Sequence, residues 1–161
     1  MSVIVDTNVA IAANGRDTHA TELCQMRCID LLMEIATGRG GDFVVLDELG
    51  LIFEEYSGHL SYKGQPGVGD MFFKFLHDNM YDQDVICLVN VTPNNDESTG
   101  FDELPENEVD PSDRKFLAAA IVSGAKIVNA LDGDWHEKRE FLAEIDVDVE
   151  QICPEHGCVA G

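Results

Sequence analysis

Residues 3–8, which read VIVDTN, contain the pattern that decides the fold. A run of β-branched residues predicts a short buried strand, and this strand ends at an acid, Asp6. The stretch 126–132, KIVNALD, has the same form and ends at Asp132. In open parallel sheets, functional sites lie beyond the carboxyl ends of the strands, where the strand order reverses. The two acids therefore predict a site beyond the carboxyl ends of the strands of a parallel sheet.

Strand-like and helix-like stretches alternate along the chain, which is typical of an α/β fold with a mainly parallel central sheet. The expected strands are residues 3–5, 43–46, 85–91, 126–131 and 147–152. The expected helices are 7–13, one from Thr18 or Thr21 to Gly38, 47–60, one from Asp70, one from Asp110 to Gly124, and 135–145, with a loop at 61–69. The 161 residues suit one domain, 1–161, with an acidic irregular segment at 94–110 and a short tail at 153–161.

Four acids stand out by their local context: Asp6, Glu55, Asp113 and Asp132. Two follow strands, Glu55 lies on an amphipathic helix, and Asp113 lies in the first turn of an alanine-rich helix. If they converge, they form a cluster of oxygen ligands suited to a hard cation such as Mg²⁺ or Mn²⁺. A cation would also relieve the repulsion that otherwise raises the pKa of closely spaced carboxylates.

Each acid also has a purely structural interpretation. Asp6 can be the N-cap of the helix that follows it, and Asp113 can stabilise a helix dipole from the first turn. Glu55 lies near the edge of its apolar stripe, where a solvated side chain is equally reasonable. Asp132 competes with Asp134, and we favour Asp132 because it is nearer the strand end.

Four motifs follow one another along the chain: residues 5–9 (VDTNV) at the start, Glu55 with Tyr56 on a helix, Asp113 followed by residues 115–117 (KFL), and residues 132–135 (DGDW). This ordered set resembles the PIN domain family. The resemblance covers nearly the whole chain. It differs from the family pattern at Ala130, where the family often has Thr or Ser, and in the length of the acidic segment 94–110.

The resemblance implies a three-layer α/β/α fold and a Mg²⁺- or Mn²⁺-dependent endonuclease that acts on RNA, in many members as the toxin of a toxin–antitoxin module. It implies that Asp6, Glu55, Asp113 and Asp132 are the catalytic, metal-binding acids. It also implies that Asn8 orders the first acid, and Asp134 is a supporting residue. A homodimer and a basic, antitoxin-like protein partner are further expectations from the family, the latter also favoured by charge.

Basic side chains bear on an RNA substrate. Arg114 and Lys115 follow Asp113 directly, which makes them candidates for contact with a phosphate. The alternative is that they belong to a solvated helix face. Phe101 and Trp135 could stack on a base, although Trp135 at a helix start is as well explained by packing.

The charge balance is the unusual feature of the composition. The chain has 31 Asp and Glu against 10 Lys and Arg, a net charge of -21, and seven of the acids lie in 94–110. This excess disfavours a basic nucleic-acid-binding domain and an anionic membrane surface as partner. It leaves metal cations, basic proteins and solubility at high salt as explanations.

The amino terminus lacks a signal-peptide pattern, and no run is long enough to span a membrane, so we expect a cytoplasmic protein. The five cysteines, Cys24, Cys28, Cys87, Cys153 and Cys158, are therefore expected to be plain thiols. A structural zinc site formed by Cys24 and Cys28 with the tail is the alternative.

Three other functions fit parts of the pattern. An aspartate-nucleophile phosphatase would need a second acid where Asn8 stands, and a receiver domain would need an acid pair after the first strand. A non-catalytic PIN-like module that docks a basic partner through its acidic surface is the alternative from a different class.

Overall fold

The computed structural model describes residues 1–61, 63 and 66–158. Its centre is a five-stranded sheet in the order β3-β2-β1-β4-β5, and every pair of neighbouring strands is parallel. The strands are β1 Ser2–Val5, β2 Phe43–Asp47, β3 Ile86–Val89, β4 Lys126–Asn129 and β5 Val149–Gln151. The strand order reverses between β1 and β4, so the carboxyl ends of these two strands meet at the switch point. The predicted α/β class is confirmed.

Helices cover the sheet in two layers. They are α1 Thr7–Asn14, α2 Glu22–Thr37, α3 Leu51–Ser57, α4 Val68–Asp78, α5 Arg114–Ser123, α6 Asp134–Glu137, α7 Arg139–Glu144 and α8 Pro154–Gly157, with a 3₁₀ turn Pro111–Asp113 before α5. Helices α1, α2 and α4 pack against one another, whereas α5 packs against β1, β2, β3, β4 and α3. This arrangement agrees with a three-layer α/β/α fold. Among the described residues, no helix is both long enough and apolar enough to cross a membrane.

The predicted helix ends at glycine are confirmed. The residues that terminate α2 and α5, Gly38 and Gly124, have φ of 71° and 73°. These are left-handed conformations that a residue with a Cβ adopts only at a cost. The two helix ends could be predicted because the need for a residue without a Cβ depends only on the local backbone conformation.

Helix α3 begins at Leu51 and not, as expected, at Asp47. Asp47 is the last residue of β2, and its carboxylate accepts the backbone N–H groups of Leu51 at 2.9 Å and Ile52 at 2.8 Å. The side chain therefore caps the helix from four residues upstream, which a periodicity argument does not detect. The expected helix 135–145 is likewise divided into α6 and α7 at Lys138.

Helix α4 begins at Val68, two residues before the expected Asp70. Asp70 is fully buried and accepts hydrogen bonds from the Gly67 N–H, the Ser61 N–H and the Arg16 guanidinium. This acid therefore holds the loop before α4 in place. Of the predicted loop 61–69, residues 62, 64 and 65 lie outside the described residues, as do residues 159–161 of the tail.

The acidic segment 94–110 contains no helix or strand, as predicted, apart from an isolated bridge between Pro93 and Phe101. It is nevertheless built around its own apolar anchors, since Phe101, Leu104 and Val109 are buried. Only 7% of the surface of Phe101 is exposed, so most of this ring serves packing, and its stacking on a base stays a prediction.

The expectation of plain thiols is wrong for two of the five cysteines. Cys24 in α2 and Cys153 after β5 form a disulfide. Their Cα atoms are 5.4 Å apart, and the two residues are 129 positions apart in the sequence. Cys28, Cys87 and Cys158 remain free. The pairing follows from the packing of α2 against the tail, which the spacing of the cysteines along the chain does not show.

Candidate functional site

Three of the four predicted acids come together at the switch point of the sheet. Carboxylate oxygens of Asp6, Asp113 and Asp132 all lie within 4.8 Å of one another. Asp6 follows β1 directly, Asp132 follows β4 after a short turn, and Asp113 ends the 3₁₀ turn that leads into α5. We call these three residues the acid cluster.

Asp6 is the most enclosed member of the acid cluster, with 6% of its surface exposed. Its Oδ2 accepts the indole N–H of Trp135 at 2.7 Å, and its Oδ1 accepts the backbone N–H of Asn8 at 3.2 Å. The second bond makes Asp6 the N-cap of α1, so the structural interpretation of this residue also holds. Burial raises the pKa of Asp6 to about 6, against the lowering effect of these two hydrogen bonds.

Asp132 and not Asp134 belongs to the cluster, as the sequence predicted. Asp134 is exposed, and its backbone N–H donates to Oδ1 of Asp132 at 2.9 Å. Asp134 therefore supports Asp132 through its main chain. Burial raises the pKa of Asp132, and the neighbouring charges of Asp134 and Asp110 add to this effect.

Asn8 bonds Asp6 through its backbone N–H, whereas its side chain forms hydrogen bonds to the turn after β4. Its Oδ1 accepts the backbone N–H groups of Ala130 and Leu131, both at 3.0 Å, and its Nδ2 donates to Asn129 at 2.9 Å. Asn8 therefore fixes the turn that carries Asp132. Asn8 holds this turn through backbone N–H groups. The alanine at position 130, where the PIN family often has Thr or Ser, therefore does not remove any of these bonds.

Asp113 has the largest shift within the acid cluster. Burial raises its pKa to about 8, with further contributions from the charges of Asp6 and Asp132. In the described part of the chain, no lysine or arginine forms an ion pair with any member of the cluster. The cluster therefore concentrates negative charge in a partly dry site without a protein counter-ion.

Glu55 lies beside the acid cluster but is engaged elsewhere. Its Oε1 is 2.8 Å from Lys115 Nζ, and its Oε2 accepts the hydroxyl of Thr7, the residue after Asp6. Glu55 is half-buried, whereas its neighbour Glu54 is exposed, so Glu55 is the acid of this pair that faces the site. Its charge contributes to the raised pKa values of Asp6 and Asp113.

Arg114 is assigned a different role from the predicted substrate contact. It is 6% exposed, and its guanidinium donates to the carbonyl oxygens of Glu97 at 2.7 Å and Val109 at 3.1 Å. Further bonds run to the side chain and carbonyl of Asn107. With its donors directed into the acidic segment, Arg114 organises that segment.

Lys115 lies at the rim of a cleft. This cleft has a volume of about 550 Å³, and Glu55, Lys115, Leu51, Glu54, Pro93 and Phe101 are among its lining residues. The side chain of Lys115 is 17% exposed, and its ammonium also donates to the Ser112 carbonyl at 2.8 Å. The other basic lining residue, Arg114, directs its donors into the acidic segment, so Lys115 is the better candidate for contact with a ligand in the cleft.

Several residues of the site escaped sequence reasoning. For Trp135 the sequence predicts packing or stacking. Its N–H bond to Asp6 joins residues 129 positions apart, so no local pattern indicates it. Asn129 is fully buried and donates to the Asp132 carbonyl at 2.8 Å, which positions the turn after β4. A polar residue at the end of an apolar strand was the available signal for Asn129.

Comparisons with protein-family models, with curated proteins and with solved structures find no match to this chain. The resemblance to the PIN domain thus stays a prediction that rests on the quoted motifs, and the acid cluster at the switch point is described on its own chemistry.

Proposed function

We propose that the chain is a divalent-metal-dependent endoribonuclease of the PIN type. The observation that carries this proposal is the acid cluster, in which Asp6, Asp113 and Asp132 bring oxygens within 4.8 Å of one another. A partly buried group of like charges that has no basic partner among the described residues is costly for the fold. Such groups are common where a cation or a reacting group is bound.

The chemistry of the donors fits Mg²⁺ or Mn²⁺. All three side chains offer carboxylate oxygen, which hard cations prefer, and none offers sulfur or imidazole. A divalent cation held there supplies charge neutralisation at a phosphate and makes water a competent nucleophile at neutral pH. The raised pKa of Asp113, about 8, marks the electrostatic cost that bound cation charge would offset.

The remaining residues of the site have supporting roles in this proposal. Trp135 and the backbone of Asn8 fix the two oxygens of Asp6, and Asn129 positions the turn of Asp132. Lys115 is the proposed phosphate contact. Glu55, through its ion pair, holds the Lys115 ammonium beside the cluster and becomes a ligand only if that pair opens.

The family resemblance and the net charge both bear on the biological setting. We infer a cytoplasmic enzyme, active as a homodimer, that cuts RNA as the toxin of a toxin–antitoxin pair. A net charge of -21 favours a basic protein as its partner. The same charge slows capture of RNA at long range, so substrate selection depends on contacts near the site.

A second candidate is a non-catalytic binding module. The pairing of Glu55 with Lys115 favours it, because one predicted ligand is already neutralised. In that case the acidic surface would bind a basic protein, and the acid cluster would not hold a catalytic cation.

Cleavage of a mixed RNA pool with Mn²⁺ separates the two candidates. We expect fragments with the wild type, none with Asp113→Asn, and wild-type cleavage with Asp30→Asn, which removes an exposed acid on α2. Equal cleavage by wild type and Asp113→Asn would overturn the site assignment. Lack of cleavage together with lack of Mn²⁺ binding in calorimetry would favour the binding module.

A further inference from the structure

A second group of potential metal ligands shares no residue with the acid cluster. The sulfur atoms of Cys24, Cys28 and Cys153 are within 4.8 Å of one another, and all three residues are fully buried. Cys24 and Cys28 share one face of α2, one helical turn apart, and Cys153 precedes α8. The disulfide uses two of these sulfurs and leaves the Cys28 thiol beside them.

The tail supplies an imidazole to the same place. A ring nitrogen of His156 and a carboxylate oxygen of Glu155 lie within 4.8 Å of the Cys24 sulfur. Glu155 is paired with Arg27 at 3.1 Å, whereas the polar contact of His156 given by the described residues is a long bond of 3.3 Å from the Thr21 N–H to Nε2, and its ring packs edge-on against His19. His156 is therefore the better fourth donor.

We propose that the reduced chain binds one Zn²⁺ through Cys24, Cys28, Cys153 and His156. Three thiolates and one imidazole form a common donor set of structural zinc sites, which are closed and tetrahedral. The Cys24–Cys28 pair has three intervening residues and the Cys153–His156 pair has two. Each pair is thus contributed by one short segment, as in other zinc sites. This proposal does not depend on the nuclease assignment.

The disulfide and the zinc site are alternative crosslinks between α2 and the tail after β5. Two molecules of a thiol such as glutathione reduce the S–S bond, which gives two protein thiols and one glutathione disulfide. Zn²⁺ then replaces the protons of three thiols, which are released to solvent. The Cys28 sulfur takes no part in the disulfide of the oxidised chain, and it is one of the proposed zinc ligands in the reduced chain.

Metal titration of the full-length chain tests the proposal. The protein is reduced with a phosphine under argon, and Co²⁺ is added as a spectroscopic probe before displacement by Zn²⁺. We expect a sulfur-to-cobalt absorption band that saturates at one thiolate-bound cobalt per chain, together with the intense visible bands of tetrahedral cobalt. The sulfur band separates this site from cobalt bound by carboxylates.

Single substitutions identify the ligands. Cys28→Ser should weaken Zn²⁺ binding by at least about 100-fold, and His156→Gln should also weaken it. Glu155→Gln and Cys158→Ser should retain wild-type affinity. Oxidised Cys28→Ser keeps the disulfide pair, so its thermal transition controls for folding. A reduced chain without the sulfur band, or a band unchanged in Cys28→Ser, would overturn the proposal.

Discussion

The indole N–H of Trp135 donates to Oδ2 of Asp6 at 2.7 Å, and this bond joins residues 129 positions apart. Trp135 is 2% exposed, so the bond is shielded from water on the protein side. The other oxygen of Asp6 accepts the N–H of Asn8. Both oxygens are therefore held in fixed directions while each keeps lone pairs for another ligand. The bond also favours the ionised carboxylate, because a donor lowers the pKa of the acid that accepts it.

Replacement of Trp135 by phenylalanine should weaken metal binding about 10- to 100-fold, as expected when a partner that orients a ligand is lost. The pKa of Asp6, already raised to about 6 by burial, should rise further. Calorimetric titration with Mn²⁺ at neutral pH measures the affinity. The wild-type affinity in Trp135→Phe would show that the indole serves only as packing.

A double-mutant cycle isolates the bond from the loss of indole packing. Urea unfolding of Trp135→Phe, Asp6→Ala and the double variant should give a coupling free energy of about 1.5–3 kcal/mol at neutral pH, the range for hydrogen bonds to charged groups. Additive effects of the two substitutions would contradict a direct interaction.

The four predicted acids should separate into two classes. Asp6→Asn, Asp113→Asn and Asp132→Asn should each reduce Mn²⁺ affinity at least about 10-fold, because their oxygens lie within 4.8 Å of one another. Glu55→Gln should have a smaller effect on Mn²⁺ affinity, since Glu55 is paired with Lys115 and Thr7. Calorimetry of the four variants gives the order. A loss in Glu55→Gln equal to that in Asp113→Asn would show that the ion pair opens on metal binding.

The metal-free protein should become less stable as pH rises from about 4 to about 8. The pKa of Asp113 is raised to about 8 from an ordinary value of 3.8, mainly by burial. The unfolded chain therefore releases this proton at lower pH than the folded chain does, and ionisation favours unfolding throughout that window. Asp6, with a pKa of about 6, adds to the loss over the lower half.

Asp113→Asn should remove part of this pH dependence. At pH 8 with a chelator, we expect the variant to be more stable than wild type by on the order of 1–2 kcal/mol, a value reduced for partial solvent access. Added Mg²⁺ should stabilise wild type more than the variant. Asp30→Asn controls for the general effect of removing one of the 31 acids. The same pH profile in both variants would exclude a special contribution from Asp113.

Local patterns in the sequence were sufficient to predict the sheet and most of the acid cluster. The apolar strand that ends at Asp6, the similar strand before Asp132, and the glycine after α5 are requirements that a few neighbouring residues meet. Parallel pairing then follows, because the crossover helices between strands are also evident in the sequence. The three acids converge because the strand order brings their ends together.

The contacts that tune the site could not be predicted in this way. Trp135, in α6, bonds Asp6, the residue after β1, from 129 positions away, and Glu55 meets Lys115 only because α3 packs beside α5. The Cys24–Cys153 disulfide likewise depends on where the tail lies. Each pair is separated by 60 or more residues, and nothing in the neighbourhood of either partner specifies the other.

Arg114 should be the main determinant of order in the acidic segment 94–110. Its guanidinium satisfies the carbonyl oxygens of Glu97, Asn107 and Val109. Gly100, with φ of 80°, passes so close that a Cβ there would lie 2.8 Å from Arg114 Cδ. The segment, which carries seven acids, therefore wraps around this one buried cation through its carbonyl groups.

Arg114→Met should lower the free energy of unfolding by about 2–4 kcal/mol, because several carbonyl acceptors lose a charged donor. Hydrogen exchange should rise across 94–110, including at the Asn107 N–H, which bonds the Ser98 carbonyl at 2.9 Å. Lys115→Met is the matched control, and its partly exposed ion pair with Glu55 should contribute no more than about 1 kcal/mol. If Arg114→Met left exchange in the segment unchanged, the apolar anchors Phe101, Leu104 and Val109 would be sufficient to order it.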